Sequence, residues 1–234
     1  MAQLTEYRSV LLAVFAISML CLCGNAVLAE PYLQLDAYPA AYVGGEEESI
    51  VSTELDFTLY ALVNSKKGPV GGSFYIAAAL APLDPVVPPD ADLGSIYLDG
   101  VEISVVSGME YGIPAKEDMP SHGTYPTYYY EHEFTLKLDP AKTTALYNSQ
   151  DVDLDGPLSV VGGESLYFED FEVDATGLAH GFMIHFDLYT KNADGTLADK
   201  APFSHDVLAM PVPGAVLLGI LGLGAAGMKL RKHA

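Results

Sequence analysis

Four side chains near the C-terminal end of the chain have the types that bind a divalent metal. His185 and Asp187 lie in HFDLY, and His205 and Asp206 lie in PFSHD. On a strand, His185 and Asp187 share one face because side chains alternate with a period of two. The four groups could converge on a metal. The alternative, which the residue types favour, is hydrogen bonding between histidine and carboxylate at the rim of the fold.

A second group of candidate ligands is the acidic stretch DVDLDG. Asp151, Asp153 and Asp155 alternate before Gly156, an arrangement that can wrap oxygen atoms around Ca²⁺. An EF-hand would need a glutamate at its twelfth position, where this chain has Gly162. The sequence therefore favours a plain acidic turn and no cofactor, and a calcium site is the alternative.

The aromatic stretch YPTYYYEHEF could stack on sugar rings. On a strand, Tyr128, Tyr130 and His132 would share one face, and Tyr129 and Glu131 would share the other. Packing of one tyrosine face into a core explains the same pattern without a ligand. Together with DVDLDG, this stretch motivates the alternative function of a calcium-dependent carbohydrate-binding or adhesion module.

The elements that must position these residues are strands. Period-two alternation and β-rich runs predict about eight strands, and Asp99-Gly100 between two such runs predicts a hairpin. We expect an all-β fold over residues 30–208, an antiparallel two-sheet β-sandwich of jelly-roll or immunoglobulin-like type. Pro140 to Tyr147 could form a short helix, and Pro82 to Gly94 is too rich in proline for a strand. The predicted strands are Tyr32 to Tyr38, Phe57 to Val63, Phe74 to Leu80, Ile96 to Val105, Tyr128 to Leu138, Leu166 to Val173 and Phe182 to Tyr189.

An apolar run near the N-terminus has the layout of a secretory signal peptide. VLLAVFAISMLCL, from Val10 to Leu22, follows a short polar stretch and is followed by GNAVLA. Val27 and Ala29 are the small residues expected before cleavage ahead of Glu30. We predict a signal peptide over residues 1–29 and therefore a secreted protein.

Residue types argue against catalysis. Cys21 and Cys23, the only cysteines, lie in the predicted signal peptide, so the mature protein has no thiol nucleophile and no disulfide. Ser204, His205 and Asp206 have the residue types of a catalytic triad, but neighbours on an extended chain point in alternate directions. His122, in SHG, is a third histidine whose residue type would suit a metal or catalytic site. We predict that the protein is not an enzyme.

The chain ends in an apolar run followed by a basic tip. Val212 to Met228 is close to the lower limit of about 17 residues for a transmembrane helix. Lys229, Arg231 and Lys232 follow it and favour a cytoplasmic tip. We predict a membrane-spanning segment within residues 209–234.

The charge of the chain excludes one class of partner. The formal net charge is −20, and the body between the two terminal segments is more acidic still, because those segments carry more bases than acids. Such a surface repels phosphate groups at long range and has no basic stripe to offset that repulsion. We expect no nucleic-acid partner.

The C-terminal segment resembles the PEP-CTERM class of sorting tails. Pro211, Val212, Pro213 and Gly214 form a proline motif ahead of the short apolar helix and the basic tip. The common motif reads Pro-Glu-Pro, and valine replaces the glutamate here. The resemblance implies recognition by a membrane-embedded exosortase, which removes the tail. An ordinary single-helix anchor is the alternative.

The body is similar to the choice-of-anchor N proteins, which are secreted bacterial proteins that share one body and differ in their C-terminal anchors. The resemblance implies a surface protein of the bacterial envelope and its exopolysaccharide matrix, and it implies no catalytic residue. It is carried by PYLQLDA (Pro31 to Ala37), SHGTYPTYYYEHEF (Ser121 to Phe134), LYNSQD (Leu146 to Asp151), HFDLY (His185 to Tyr189) and APFSHD (Ala201 to Asp206).

Overall fold

The computed structural model describes residues 30–43, 49–82, 87–120 and 123–210. The predicted signal peptide, the sorting motif from Pro211 onward and His122 lie outside the described residues. The last strand of the described residues ends at Ala209. The described strands are β1 (Leu33–Tyr38), β2 (Ala41–Val43), β3 (Ser49–Ser52), β4 (Asp56–Asn64), β5 (Ser73–Pro82), β6 (Ser95–Leu98), β7 (Val101–Ser104), β8 (Glu110–Gly112), β9 (Thr127–Thr135), β10 (Thr143–Thr144), β11 (Leu166–Asp174), β12 (Phe182–Lys191), β13 (Leu197–Lys200) and β14 (Val207–Ala209).

The strands form two sheets, as the alternating sequence pattern predicts. The first sheet has the order β1-β4-β11-β6-β7, with β10 paired to β11. The second has the order β2-β3-β14-β12-β5-β9-β8, with β13 paired to β12. The all-β two-sheet architecture is confirmed. The second sheet is mixed rather than purely antiparallel, because β14 runs parallel to β3. These two strands are far apart in sequence, so no tight turn forces them to be antiparallel.

The core lies between the two sheets and follows the period-two pattern of the strands. Leu33, Leu35 and Ala37 of β1 and Ile184 and Phe186 of β12 contribute to one buried cluster. Each of these side chains is 0% exposed. Every second side chain of these strands therefore faces the core, since successive side chains point to opposite faces and only one face of each sheet reaches this core.

The hairpin predicted at Asp99-Gly100 is present. It joins β6 to β7, with Leu98 opposite Val101. Asp99 has φ of 50° and Gly100 has φ of 75°, the positive values that a two-residue hairpin turn requires.

The short helix that Pro140 to Tyr147 could form is present only as a first turn. The chain forms one 3-10 turn, Pro140–Lys142, in which the Asp139 side chain accepts a hydrogen bond from the Ala141 amide. It then becomes extended, and Thr143 pairs with Tyr167 in β11. Pairing with β11 is favoured here because a helix of so few residues is not stable alone.

The outer face of each sheet is also covered, in each case by a chain segment that we call a strap. The first strap, residues 145–160, has no regular secondary structure and lies over the first sheet, where Leu146, Leu154 and Leu158 pack against Tyr60 and Phe168. Polar residues that alternation places on the outer face of this sheet are therefore buried beneath a strap.

The second strap comprises the described residues of 113–126. Its side chains Ala115, Met119 and Tyr125 pack with Ala77 and Tyr189 on the outer face of the second sheet. It contains a single helical turn, α1 (Pro114–Glu117), in which residues 115–117 have positive φ. Left-handed turns cost L-residues about 1–2 kcal/mol each, so burial of the strap must stabilise this conformation.

Candidate functional site

Strand β12 presents two of the predicted metal-ligand residues on its outer face. His185 and Asp187 alternate with Ile184 and Phe186, which face the core. His185 pairs with Ala79 of the neighbouring strand β5, and Asp187 also pairs with an alanine of β5. Because alanine side chains are small, the second strap can approach the strand at this point.

Asp206 reaches the same place from the end of the chain. It immediately precedes β14, whose Leu208 pairs with His185. Nε2 of His185 lies 3.3 Å from Oδ2 of Asp187 and 3.3 Å from Oδ2 of Asp206. One ligand atom from each of the three residues lies within 4.8 Å of the others. We call His185, Asp187 and Asp206 the buried His-Asp cluster.

The buried His-Asp cluster is closed to solvent and has polar neighbours. His185 is 4% exposed, Asp187 is 6% and Asp206 is 2%. The Tyr125 hydroxyl of the second strap donates to Oδ2 of Asp187 at 2.7 Å. Ser49 of β3 forms a side-chain hydrogen bond with Asp206. These contacts orient both carboxylates.

Burial and charge shift the titration of these groups. Burial raises the pKa of Asp206 to about 7, although His185 opposes that shift. Burial alone would lower the pKa of His185, but Asp187 and Asp206 outweigh it and raise the pKa. Burial lowers the pKa of Lys200, and the same two carboxylates oppose this shift. The three residues and Lys200 thus form one electrostatic unit.

His205 does not join the buried His-Asp cluster, although it precedes Asp206. Its Nε2 lies 2.7 Å from Oδ1 of Asn148 in the first strap, and its Nδ1 lies 3.0 Å from Oγ of Ser204. Burial lowers the pKa of His205 to about 4. Ser204 and His205 meet because they lie in a 3-10 turn, Phe203–His205, and not in the extended segment expected from the sequence. Asp206, however, contacts His185.

The DVDLDG carboxylates lie in the first strap, away from the buried His-Asp cluster. Asp151, Asp153 and Asp155 are exposed, and Leu154 between them packs against the outer face of the first sheet. Oδ1 of Asp153 accepts a hydrogen bond from the Tyr42 amide at 2.8 Å. Within the described ranges, the three carboxylates do not form a group of ligand atoms close enough to share an ion.

The tyrosine stretch lies in β9 and alternates as the sequence indicates. Tyr128 and Tyr130 pack against the core between the sheets. Tyr129 packs on the outer face of the second sheet, where its ring meets that of Tyr125 edge-on at 6.3 Å. These rings are used mainly for packing. Tyr111, 62% exposed, extends the aromatic surface beside Tyr128.

Sequence reasoning missed a second set of buried polar groups in β1. The Gln34 amide donates to the Tyr147 carbonyl at 3.0 Å and accepts from the Ser149 amide at 3.1 Å. The Tyr147 hydroxyl donates to Oδ2 of Asp36 at 2.7 Å. Burial raises the pKa of Asp36 to about 7. The one signal was polar Gln34 and Asp36 in an otherwise apolar strand, and alternation alone places them in solvent.

Comparison with known proteins found no relative: no family model, no curated protein and no solved structure matches the chain. Among the described residues, no helix is both long enough and apolar enough to cross a membrane.

Proposed function

We propose that the chain is a non-enzymatic exported protein of the bacterial cell surface, whose β-sandwich is displayed after an exosortase-type enzyme processes its tail. One observation carries this proposal. The described strands run from Leu33 to Ala209, between the predicted signal-peptide cleavage site ahead of Glu30 and the proline motif at Pro211. Removal of both terminal segments would therefore leave every described strand intact.

The body of the protein supports a display role. Its surface is strongly acidic, which favours solubility outside the cell and disfavours binding of phosphate-rich partners. The buried His-Asp cluster is 2% to 6% exposed, so its side chains are placed to stabilise the fold and have no open face for a polymer. A jelly-roll or immunoglobulin-like sandwich of this kind would present its loops to the exopolysaccharide matrix.

Processing at both ends can be tested by intact-mass measurement. We expect the surface form of the full-length chain, expressed in a bacterium that has an exosortase, to begin at Glu30 and to lack the basic tip. A variant with Pro211→Ala and Pro213→Ala should keep the tail, because the proline motif is then absent.

The matched control is Pro89→Ala, which removes an exposed proline from a loop outside the tail. It should be processed like the wild type. Surface protein that retains Lys229, Arg231 and Lys232 at full occupancy would instead establish an ordinary membrane anchor and contradict the proposal.

A further inference from the structure

We propose that His185, Asp187 and Asp206 bind one four-coordinate divalent transition-metal ion of the Zn²⁺ type, and that this ion links β14, the last described strand, to the central strand β12. His185 and Asp187 lie in β12, and Asp206 immediately precedes β14, the strand that pairs with β12. This proposal is independent of how the tail is processed.

The spacing of the three ligand atoms is the first argument. A charge-assisted hydrogen bond between imidazole and carboxylate is usually about 2.7–2.9 Å long. Nε2 of His185 is 3.3 Å from both carboxylate oxygens, which is long for such a bond. Around a tetrahedral ion with bonds of about 2.0–2.1 Å, neighbouring ligand atoms lie about 3.3 Å apart. The two distances from His185 therefore match a tetrahedral ligand set, and all three ligand atoms lie within 4.8 Å of one another.

The identity of the ligands selects the class of metal. Zn²⁺ accepts histidine nitrogen together with aspartate oxygen and is satisfied by four ligands. Ca²⁺ needs about 6–8 oxygen ligands, and Mg²⁺ keeps a near-octahedral shell of oxygen atoms. One imidazole and two carboxylates suit the first of these ions much better. A water molecule would complete four-coordination.

The surroundings are those of a supported ligand set. Tyr125 donates to the same Asp187 oxygen that faces His185 and so holds that oxygen in position. Ser49 binds Asp206 from β3. Outer hydrogen bonds of this kind orient metal ligands and are part of the affinity of natural sites.

The charge of the cluster is a further argument for a bound cation. Two carboxylates and a neutral imidazole carry a charge of about −2, which one divalent cation neutralises in a site only 2% to 6% exposed. The competing arrangement is a metal-free ion cluster in which protonated His185 and nearby Lys200 balance the two aspartates. The two arrangements differ in one measurable property, the response to added metal.

The test is thermal unfolding of the full-length chain in detergent, purified without a histidine tag and stripped with EDTA. Added Zn²⁺ at about 100 times its Kd should raise Tm by roughly 5–10 °C, while Ca²⁺ and Mg²⁺ should not. Co²⁺ should give the intense visible bands of tetrahedral coordination. Metal analysis should find one ion per chain.

Asp206→Asn is the sharpest variant, because it removes one ligand charge and keeps the shape of the side chain. We expect it to fold and to lose the Zn²⁺-induced rise in Tm. His180→Ala removes an exposed histidine and should keep the rise. The proposal is overturned if Zn²⁺ leaves the wild-type Tm unchanged, if Ca²⁺ acts equally well, or if Asp206→Asn responds like the wild type.

Discussion

Replacing Phe186 with alanine is expected to destabilise the sandwich by about 3–5 kcal/mol, the usual cost of emptying a buried phenylalanine site. Phe186 lies in β12, which has β14 on one side and β5 on the other, and its side chain is 0% exposed. Its ring meets that of Phe57 edge-on, with centroids 6.1 Å apart. The variant loses this contact, and the central position of β12 leaves little room for collapse.

Urea denaturation of wild type and variant measures the loss as a difference in unfolding free energy. Tyr111→Ala is the control, since it also removes an aromatic ring but one that is 62% exposed. It should change stability by no more than about 0.5 kcal/mol. Equal effects of the two substitutions would contradict the placement of Phe186 in the core.

Replacing Asp36 with asparagine is expected to change how stability depends on pH. Burial raises the pKa of Asp36 from 3.8 to about 7, Asp153 adds to the shift, and hydrogen bonds from Tyr147 and the Ala37 amide oppose it. Asp36 is 3% exposed. Its charged form is therefore disfavoured in the folded protein relative to the unfolded chain.

The direction of the effect follows from proton binding. Between about pH 4 and pH 7 the folded protein holds a proton on Asp36 that the unfolded chain has released. The resulting stabilisation is fully present below the unfolded pKa of 3.8 and is lost as pH rises through about 7. The loss is on the order of 4 kcal/mol for a shift of this size.

Denaturation of wild type and Asp36→Asn at a series of pH values tests this result. The stability of the wild type relative to the variant should fall as pH rises from about 4 to about 8. Asp56→Asn, at an exposed position in the adjacent strand β4, should follow the wild-type profile. A constant difference between wild type and Asp36→Asn would show that Asp36 does not titrate in this range.

The predictions from sequence succeeded where the determinant is local. The alternation in YLQLDAY and in HFDLY predicts strands, and β1 and β12 are present with boundaries close to the predicted ones. Asp99-Gly100 predicts its hairpin because two adjacent residues determine the turn. Short strands such as β3 and β14 were missed, since runs of three or four residues hold too little periodicity to be recognised.

The candidate site was only partly predictable for the same reason. Alternation places His185 and Asp187 on one face, and that relation holds in β12. No local sequence pattern indicates that Asp206 contacts His185 while its neighbour His205 contacts Asn148. That choice depends on the 3-10 turn before β14 and on the pairing of β14 with β12.

The longer strands, the hairpin and the acidity of the body are predictable from the amino-acid sequence, because periodicity, turn chemistry and charge are properties of neighbouring residues or of composition. Which polar residues are buried depends on contacts between distant parts of the chain. Asp36 lies under Tyr147, which is 111 positions away, and Tyr125 reaches Asp187 across 62 positions. Contacts over such separations arise from the straps that cover both outer faces, and no local pattern encodes where a strap comes to lie.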